Sequence, residues 1–242
     1  MNDEVKQILY FPSRKICIVA LLKEIQIYNK EYKFLRKIDK IGNNDFYPQF
    51  IETNNKNGIF ICNPREYKIM FLNLDTEETK ETISRIDVIL PRGMFYINNK
   101  LYVCDGNMNK IKTFDENLIK IEEYCLDIFP CDIKIINDVA CVYSKKTLSM
   151  GTNVDIIKFY NINGFLQIGE YKTGPRAFIS AIGLNFYAYD STKIITFDEE
   201  GKSLQEIHLR KLPDICVERL ESMDFIDGFI WIKTYKNVFK IC

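Results

Sequence analysis

The chain has one histidine, seven prolines and eleven glycines in 242 residues. So little glycine and proline excludes collagen-like and low-complexity classes. It also has no excess charge, because 33 Lys and Arg balance 33 Asp and Glu. A neutral chain is not built as a whole to coat nucleic acid or an anionic membrane. Long apolar runs are absent too. The stretch Ile16–Leu22 stops at Lys23 and Glu24, well short of the roughly 20 residues that span a bilayer. The start, MNDEVKQILYFPSRK, has no basic segment followed by an apolar one, so no secretory signal is read there. The expectation is a soluble cytoplasmic protein with no membrane partner. None of the eight cysteines has CxxC spacing. They read as buried thiols in a reducing compartment rather than as disulfide or zinc ligands.

Hydrophobic residues at 47% and charged residues at 27% are ordinary globular values, and 13% aromatics lean towards β structure. A short pattern recurs: a β-branched residue, two others, a bulky apolar residue, then often Asp or Asn. It starts at Ile25, Ile69, Ile111, Ile157, Ile194 and Val238, with steps of 44, 42, 46, 37 and 44 residues. Before each copy lies a run that is apolar on both alternating faces. These runs are Ile16–Ala20, Ile59–Asn63, Leu101–Asp105, Ala140–Ser144, Phe186–Asp190 and Ile230–Thr234, with steps of 43, 42, 39, 46 and 44. Pro48, Pro91, Pro130, Pro175 and Pro213 sit upstream of these runs, as suits the start of a strand.

Each unit reads as four short strands. In the third they are Gly93–Ile97, Lys100–Cys104, Lys110–Phe114 and Ile119–Cys125, with a turn at Asn98-Asn99. No sustained 3.6-residue period appears, so helices should be scarce. A strand that is apolar on both sides lies between two layers. A linear stack of such sheets leaves apolar ends, whereas radial closure leaves none. The period and the four strands per unit thus predict an all-β fold, a six-bladed β-propeller of four-stranded antiparallel blades. The blades would cover approximately 7–41, 47–86, 91–126, 130–172, 175–210 and 217–242, as one domain. The last blade is incomplete in sequence. It is closed either by Met1–Lys6 or left open for a partner strand.

The segment Pro91–Cys125, PRGMFYINNKLYVCDGNMNKIKTFDENLIKIEEYC, resembles an NHL-type repeat. It carries Pro91 and Gly93, an LYVAD-like second strand at Leu101–Asp105 and an NxIxxFD-like third strand at Asn109–Asp115. Pro175–Leu209 is the next best match. The resemblance implies a six-bladed propeller, a fold that carries scaffolds, single-stranded RNA binders and lactonase- or lyase-type enzymes.

Residues for chemistry are few. His208, the single histidine, falls in an outer-strand position. Asn63, Asp105 and Asp190 are possible calcium ligands by analogy with lactonase-like propellers. Their shared place at the end of the second strand reads instead as bracing the turn that follows. No GxSxG, Walker A or HExxH motif occurs. No catalytic residue, metal or cofactor is therefore assigned.

Binding is better supported. Loops joining second to third strands, and those joining blades, should share one face. The first set would bring Arg65, Tyr67, Lys145, Lys146 and Tyr235 there, and the second Arg92, Arg176 and Arg219, with Phe46, Tyr47 and Phe129. Lys145–Asn153 reads as a long loop insertion. Aromatics mixed with Arg suit a protein hot spot or base stacking. The reading is a non-catalytic scaffold that binds a protein partner through this face. Single-stranded RNA binding and a channel-based enzyme are the alternatives.

Overall fold

The computed structural model describes residues 5–41, 46–147, 153–174, 177–189 and 193–208, with strand backbone alone at 146–147, 153–154 and beyond 219. Contacts divide the chain into two units, Met1–Cys125 and Leu126–Cys242. Unit one holds three antiparallel sheets. The first blade is β1 (Val5–Phe11), β2 (Ile16–Leu21), β3 (Ile25–Asn29) and β4 (Phe34–Ile38). The second is β5 (Phe50–Thr53), β6 (Gly58–Asn63), β7 (Lys68–Asn73) and β8 (Thr79–Glu81). The third is β9 (Pro91–Ile97), β10 (Lys100–Asp105), β11 (Lys110–Phe114) and β12 (Lys120–Cys125).

Unit two holds β13 (Pro130–Ile136), β14 (Val139–Thr147), β15 (Asn153–Asn161) and β16 (Leu166–Thr173) as one blade. The next is β17 (Phe178–Ile182), β18 (Asn185–Tyr189), β19 (Lys193–Phe197) and β20 (Ser203–His208). The last sheet has three strands, β21 (Leu220–Ile226), β22 (Phe229–Thr234) and β23 (Val238–Ile241). Within unit one the first strands β1, β5 and β9 neighbour one another in order, and within unit two so do β13, β17 and β21. Among the described residues the helical content is two single 3₁₀ turns, Pro12–Arg14 and Gly106–Met108.

The six-bladed expectation is corrected. Five sheets are complete four-stranded blades, and the sixth unit forms three strands. The segment Met1–Lys6 read as a closing strand overlaps the first blade: Val5 and Lys6 begin β1, with Val5 opposite Leu21 of β2. Residues 1–4 lie outside the described residues. In the fifth unit the β17–β18 turn is Gly183-Leu184, with Gly183 at a φ of 60°.

The repeat's letters have physical causes. The closing Asn or Asp folds the turn between third and fourth strands with its side-chain oxygen. Asp115 accepts from the amides of Asn117 (2.8 Å) and Ile119 (2.9 Å). Asn29 does the same with Glu31 (3.0 Å) and Lys33 (2.9 Å), and Asp198 with Glu200 (3.0 Å) and Lys202 (2.8 Å). A side-chain carbonyl thus stands in for a backbone one, which is why Asx residues recur at this position. At Asn98-Asn99 both residues have positive φ, 51° and 59°, as a tight primed hairpin turn requires.

Burial follows from the second and third strands. All six residues of β6 are buried. Ile59 and Ile61 enter one core with Ile18, Ile25 and Ile27 of the first blade. Phe60 and Cys62 enter another with Met94, Leu101 and Val103 of the third. In unit two, Ile157 and Phe159 of β15 share a core with Ile179 and Phe186 of the following blade. Each such Ile or Phe contributes about 1.5–3 kcal/mol.

A buried ion pair locks the third blade to the linker before it. Lys112 Nζ on β11 lies 2.8 Å from Asp105 Oδ2 and donates to the Asp87 carbonyl at 2.8 Å. Both side chains are buried. Asp105 also accepts from the amides of Ile89 (3.1 Å) and Leu90 (2.9 Å). The sequence assigned Asp105 to the turn after its strand. The carboxylate braces the preceding linker instead, because three donors converge there, the amides of Ile89 and Leu90 and the Lys112 ammonium. Lys158, at the same repeat position, reaches the Asp127 carboxylate (2.6 and 2.9 Å) in the linker before its own blade.

Two outcomes are expected. Asp105→Ala strands a buried ammonium and should cost about 3–5 kcal/mol. Adding Lys112→Met should recover a large part, read from urea midpoints. Glu116 is held below the usual carboxylate range by the Lys56 ammonium 2.6 Å away and by the Tyr96 hydroxyl that donates to it. Its stabilisation is therefore full above the unfolded carboxylate value and is lost as pH falls through the folded one. The group is well exposed, so Glu116→Gln should flatten the urea midpoint's acid slope by roughly 0.5 kcal/mol or less.

Candidate functional site

The sequence placed Arg65 and Tyr67 on a partner face, and the structure builds a patch around them in unit one. Both lie in the turn between β6 and β7. The amides of Glu66 and Tyr67 donate to the carbonyls of Asn63 and Pro64, and Tyr67 has a left-handed φ of 57°. The Arg65 guanidinium stands over the Tyr47 ring, 3.8 Å from its centroid. Arg85, from the linker after β8, stands over Tyr67 at 4.3 Å. Each stack is worth about 0.5–1 kcal/mol at an exposed site. More usefully, it fixes a long side chain that would otherwise lose rotamer entropy on binding.

The linker carrying Arg85 is pinned along its length. Thr82 is buried, accepting from the Ile69 amide and donating its own amide to the Ile69 carbonyl, both at 3.0 Å. Asp87 Oδ2 accepts from the Ile83 amide at 2.7 Å, and the Asp87 amide donates to the Ile83 carbonyl at 3.1 Å. Ser84 Oγ donates to the Glu66 carbonyl at 2.7 Å, tying the linker to the β6–β7 turn. Val88 is fully buried, and the Lys112–Asp105 pair holds the segment from Asp87 to Leu90. What this frame displays is apolar: Ile83 is 61% and Ile86 71% exposed. The patch is thus two outward isoleucines beside two stacked arginine–tyrosine pairs. Sequence reasoning missed Arg85, Ile83 and Ile86. The available signal was a linker with two isoleucines three apart, outside any strand alternation.

The other predicted residues fall elsewhere. Arg92 lies at the start of β9, half-buried, and its carbonyl accepts from the Cys62 thiol at 2.8 Å. Lys145 and Lys146 are not in a loop. They belong to β14, paired with Asp155 and Val154 of β15. The hairpin is longer than read because Asp155, buried, is fixed by the Tyr143 hydroxyl (2.6 Å) and the Ala177 amide (3.0 Å). Arg176, Arg219 and Tyr235 lie outside the described residues. Phe46 is buried in the core of the first two blades and Phe129 is half-buried, so neither is displayed as expected.

Titratable groups elsewhere are held quiet. Burial pushes the Cys141 thiol and the Tyr143 hydroxyl up, so both stay protonated at neutral pH, and burial also raises the Asp132 carboxyl. His208 ends β20, exposed on an outer strand. Among the described residues no three His, Cys, Asp or Glu side chains gather into a metal-holding group, and no helix is long and apolar enough to cross a membrane.

No family model matches the chain, and no curated protein matches it in sequence. Solved structures do match in shape. The WD40 domain of Neurospora crassa Pan2 superposes with a TM-score of 0.67 at 10% identity, covering 96% of this chain and 72% of that one. A streptogramin B lyase gives 0.65 at 13% identity, covering 98% and 93%. The WD40 repeats of RRP9 give 0.64 at 8% identity, covering 98% and 89%. The class is thereby shown: an all-β propeller of four-stranded antiparallel blades. WD40 domains and a lyase stand side by side among these likenesses, so they carry the fold and not an activity.

The pinned linker makes a prediction. Asp87→Ala removes the acceptor facing the Ile83 amide. Hydrogen exchange at the amides of Ile83, Ile86 and Asp87 should then accelerate about tenfold or more. Unchanged protection would show that the remaining contacts suffice.

Proposed function

We propose that this protein is a non-catalytic interaction scaffold that docks a protein partner on the loop face of unit one. The carrying observation is the display of Ile83 and Ile86 on a pinned linker that is tied to the β6–β7 turn and carries one of two arginine–tyrosine stacks. Exposed apolar side chains on a segment with preorganised Arg and Tyr have the composition of a protein hot spot. The WD40 character of two structural neighbours supports the same reading at the level of fold. The NHL-like pattern of Pro91–Cys125 is compatible with it. Arg92 remains a candidate contact within this proposal, and Lys145, Lys146, Arg176, Arg219 and Tyr235 are proposed contacts of unit two, taken by itself.

Single-stranded RNA is the second reading, since aromatic and guanidinium planes also stack bases. The isoleucines favour protein, because a base-stacking face gains little from two branched aliphatic tips.

The test places a photo-crosslinking phenylalanine analogue at Ile86 in the full chain. Crosslinking to a discrete protein is expected, reduced about tenfold or more by Arg65→Glu and Arg85→Glu. A crosslink unaffected by both substitutions removes the face from the site. Tight, strongly salt-dependent binding of a labelled oligouridylate would transfer the site to RNA.

A further inference from the structure

Four steps in the sequence place Asn or Asp directly before glycine: Asn57-Gly58, Asp105-Gly106, Asn163-Gly164 and Asp227-Gly228. Asp227-Gly228 lies outside the described residues. Glycine has no Cβ to shield its amide nitrogen, so that nitrogen is open to attack the side-chain carbonyl carbon of the residue before it. The surroundings then decide which step reacts. At Asn57 they hold both reacting groups in place. Gly58 is buried at the start of β6, and its amide donates to Asn54 Oδ1 at 2.9 Å. The Asn57 carboxamide oxygen accepts from Asn54 Nδ2 at 3.1 Å, and the Asn57 carbonyl accepts from the Leu74 amide at 2.8 Å. A Cβ on Gly58 would come within 2.3 Å of the Phe71 ring, so little room is left at that residue. Asp105 is fixed by its three donors, and the Gly106 amide donates to the Leu90 carbonyl at 3.1 Å.

Asn163-Gly164 is the opposite case. Both residues are exposed in the β15–β16 turn. The backbone amide of Asn163 donates to Asn161 Oδ1 at 2.9 Å, while its carboxamide makes no hydrogen bond to any described residue. Gly164 has a left-handed φ of 92°, with open space where a Cβ would stand. Its amide donates to the Ile162 carbonyl two residues back, at 3.0 Å, and an exposed turn bond of that kind opens at little free-energy cost. We infer that Asn163 is a site of spontaneous deamidation in the folded protein, and that folding protects Asn57. Hydroxide takes the Gly164 amide proton, and the nitrogen bonds to Asn163 Cγ. The Cγ–Nδ2 bond breaks, and Nδ2 leaves as ammonia with a proton from water, which regenerates the hydroxide. Water then opens either carbonyl of the cyclic imide. One water enters, one ammonia leaves, and aspartate and isoaspartate are formed together. Both products put a carboxylate in the turn. Isoaspartate also lengthens the backbone shortly before Phe165, whose buried ring lies 5.9 Å from that of Tyr160.

The experiment incubates the full chain in mildly alkaline buffer, one sample folded and one in urea. Both are digested in acid, and tandem mass spectra locate the converted asparagines over several weeks. The ratio of Asn163 to Asn57 conversion is expected to be about tenfold or more higher in the folded chain than in urea, because Asn57 must await local opening. A ratio unchanged by folding overturns the inference. So does an Asn163 that converts in urea and not in the folded chain. Asn54→Ala frees the Gly58 amide and should speed Asn57 conversion in the folded chain about threefold or more. With circular dichroism confirming the fold of that variant, an unchanged rate overturns the assigned protection. Where the variant does not fold, the wild-type ratio decides alone. Asn163→Gln should remove the main acidic species that ion exchange separates from the aged folded protein, and its persistence at full yield also overturns the inference.

Discussion

The structure depends on a strand that is buried on both sides. In β6 successive side chains enter different cores, Ile59 and Ile61 towards the first blade, Phe60 and Cys62 towards the third. β7 repeats the division, with Met70 and Leu72 on one side and Ile69 and Phe71 on the other. Such a strand cannot be stable in an isolated sheet, because half of its apolar area would face water. It obliges each four-stranded sheet to find a neighbour on both faces. The blade is therefore a unit of hydrogen bonding, while the inter-blade layer is the unit of burial.

That division explains where polar groups are allowed inside. Asp105 and Lys112 sit at the rim of the layer, where linker amides and a carbonyl complete their hydrogen bonding. The pair joins the third blade to the linker that displays Ile83, Arg85 and Ile86. Packing, an internal charge pair and the candidate contact surface are thus parts of one mechanical chain. At the other loop end of the same unit, Arg14 and Arg36 of the first blade pair with Asp75 and Glu77 in the β7–β8 turn of the second.

Much of this was legible in the residues. The third unit's strands fall within two residues of their expected starts and one of their expected ends, since Asn98-Asn99 and Asp115 mark turns that local chemistry dictates. Arg65 and Tyr67 were read as lying in a loop between second and third strands, and they fall in the β6–β7 turn. Less legible were side chains whose partners are remote. Nothing near Asp105 announces that its amide donors lie 15 and 16 residues upstream. Lys145 and Lys146 looked like loop because their rungs depend on Asp155, which is fixed by Tyr143 and by a residue of the following blade. Five blades are complete, and the sixth unit, already short of an outer strand in the sequence, forms three strands.

What the sequence determined alone was the blade. Alternation, Asx turns and the doubly apolar strand are local, and each is written in a few adjacent letters. The tertiary structure decided which side chains meet between blades and linkers. The stacking of Arg85 on Tyr67 and the capture of Lys112 by a distant linker depend on distances of a few ångströms between segments far apart in the chain. The repeat period gives the order of those segments, and only packing gives their separation.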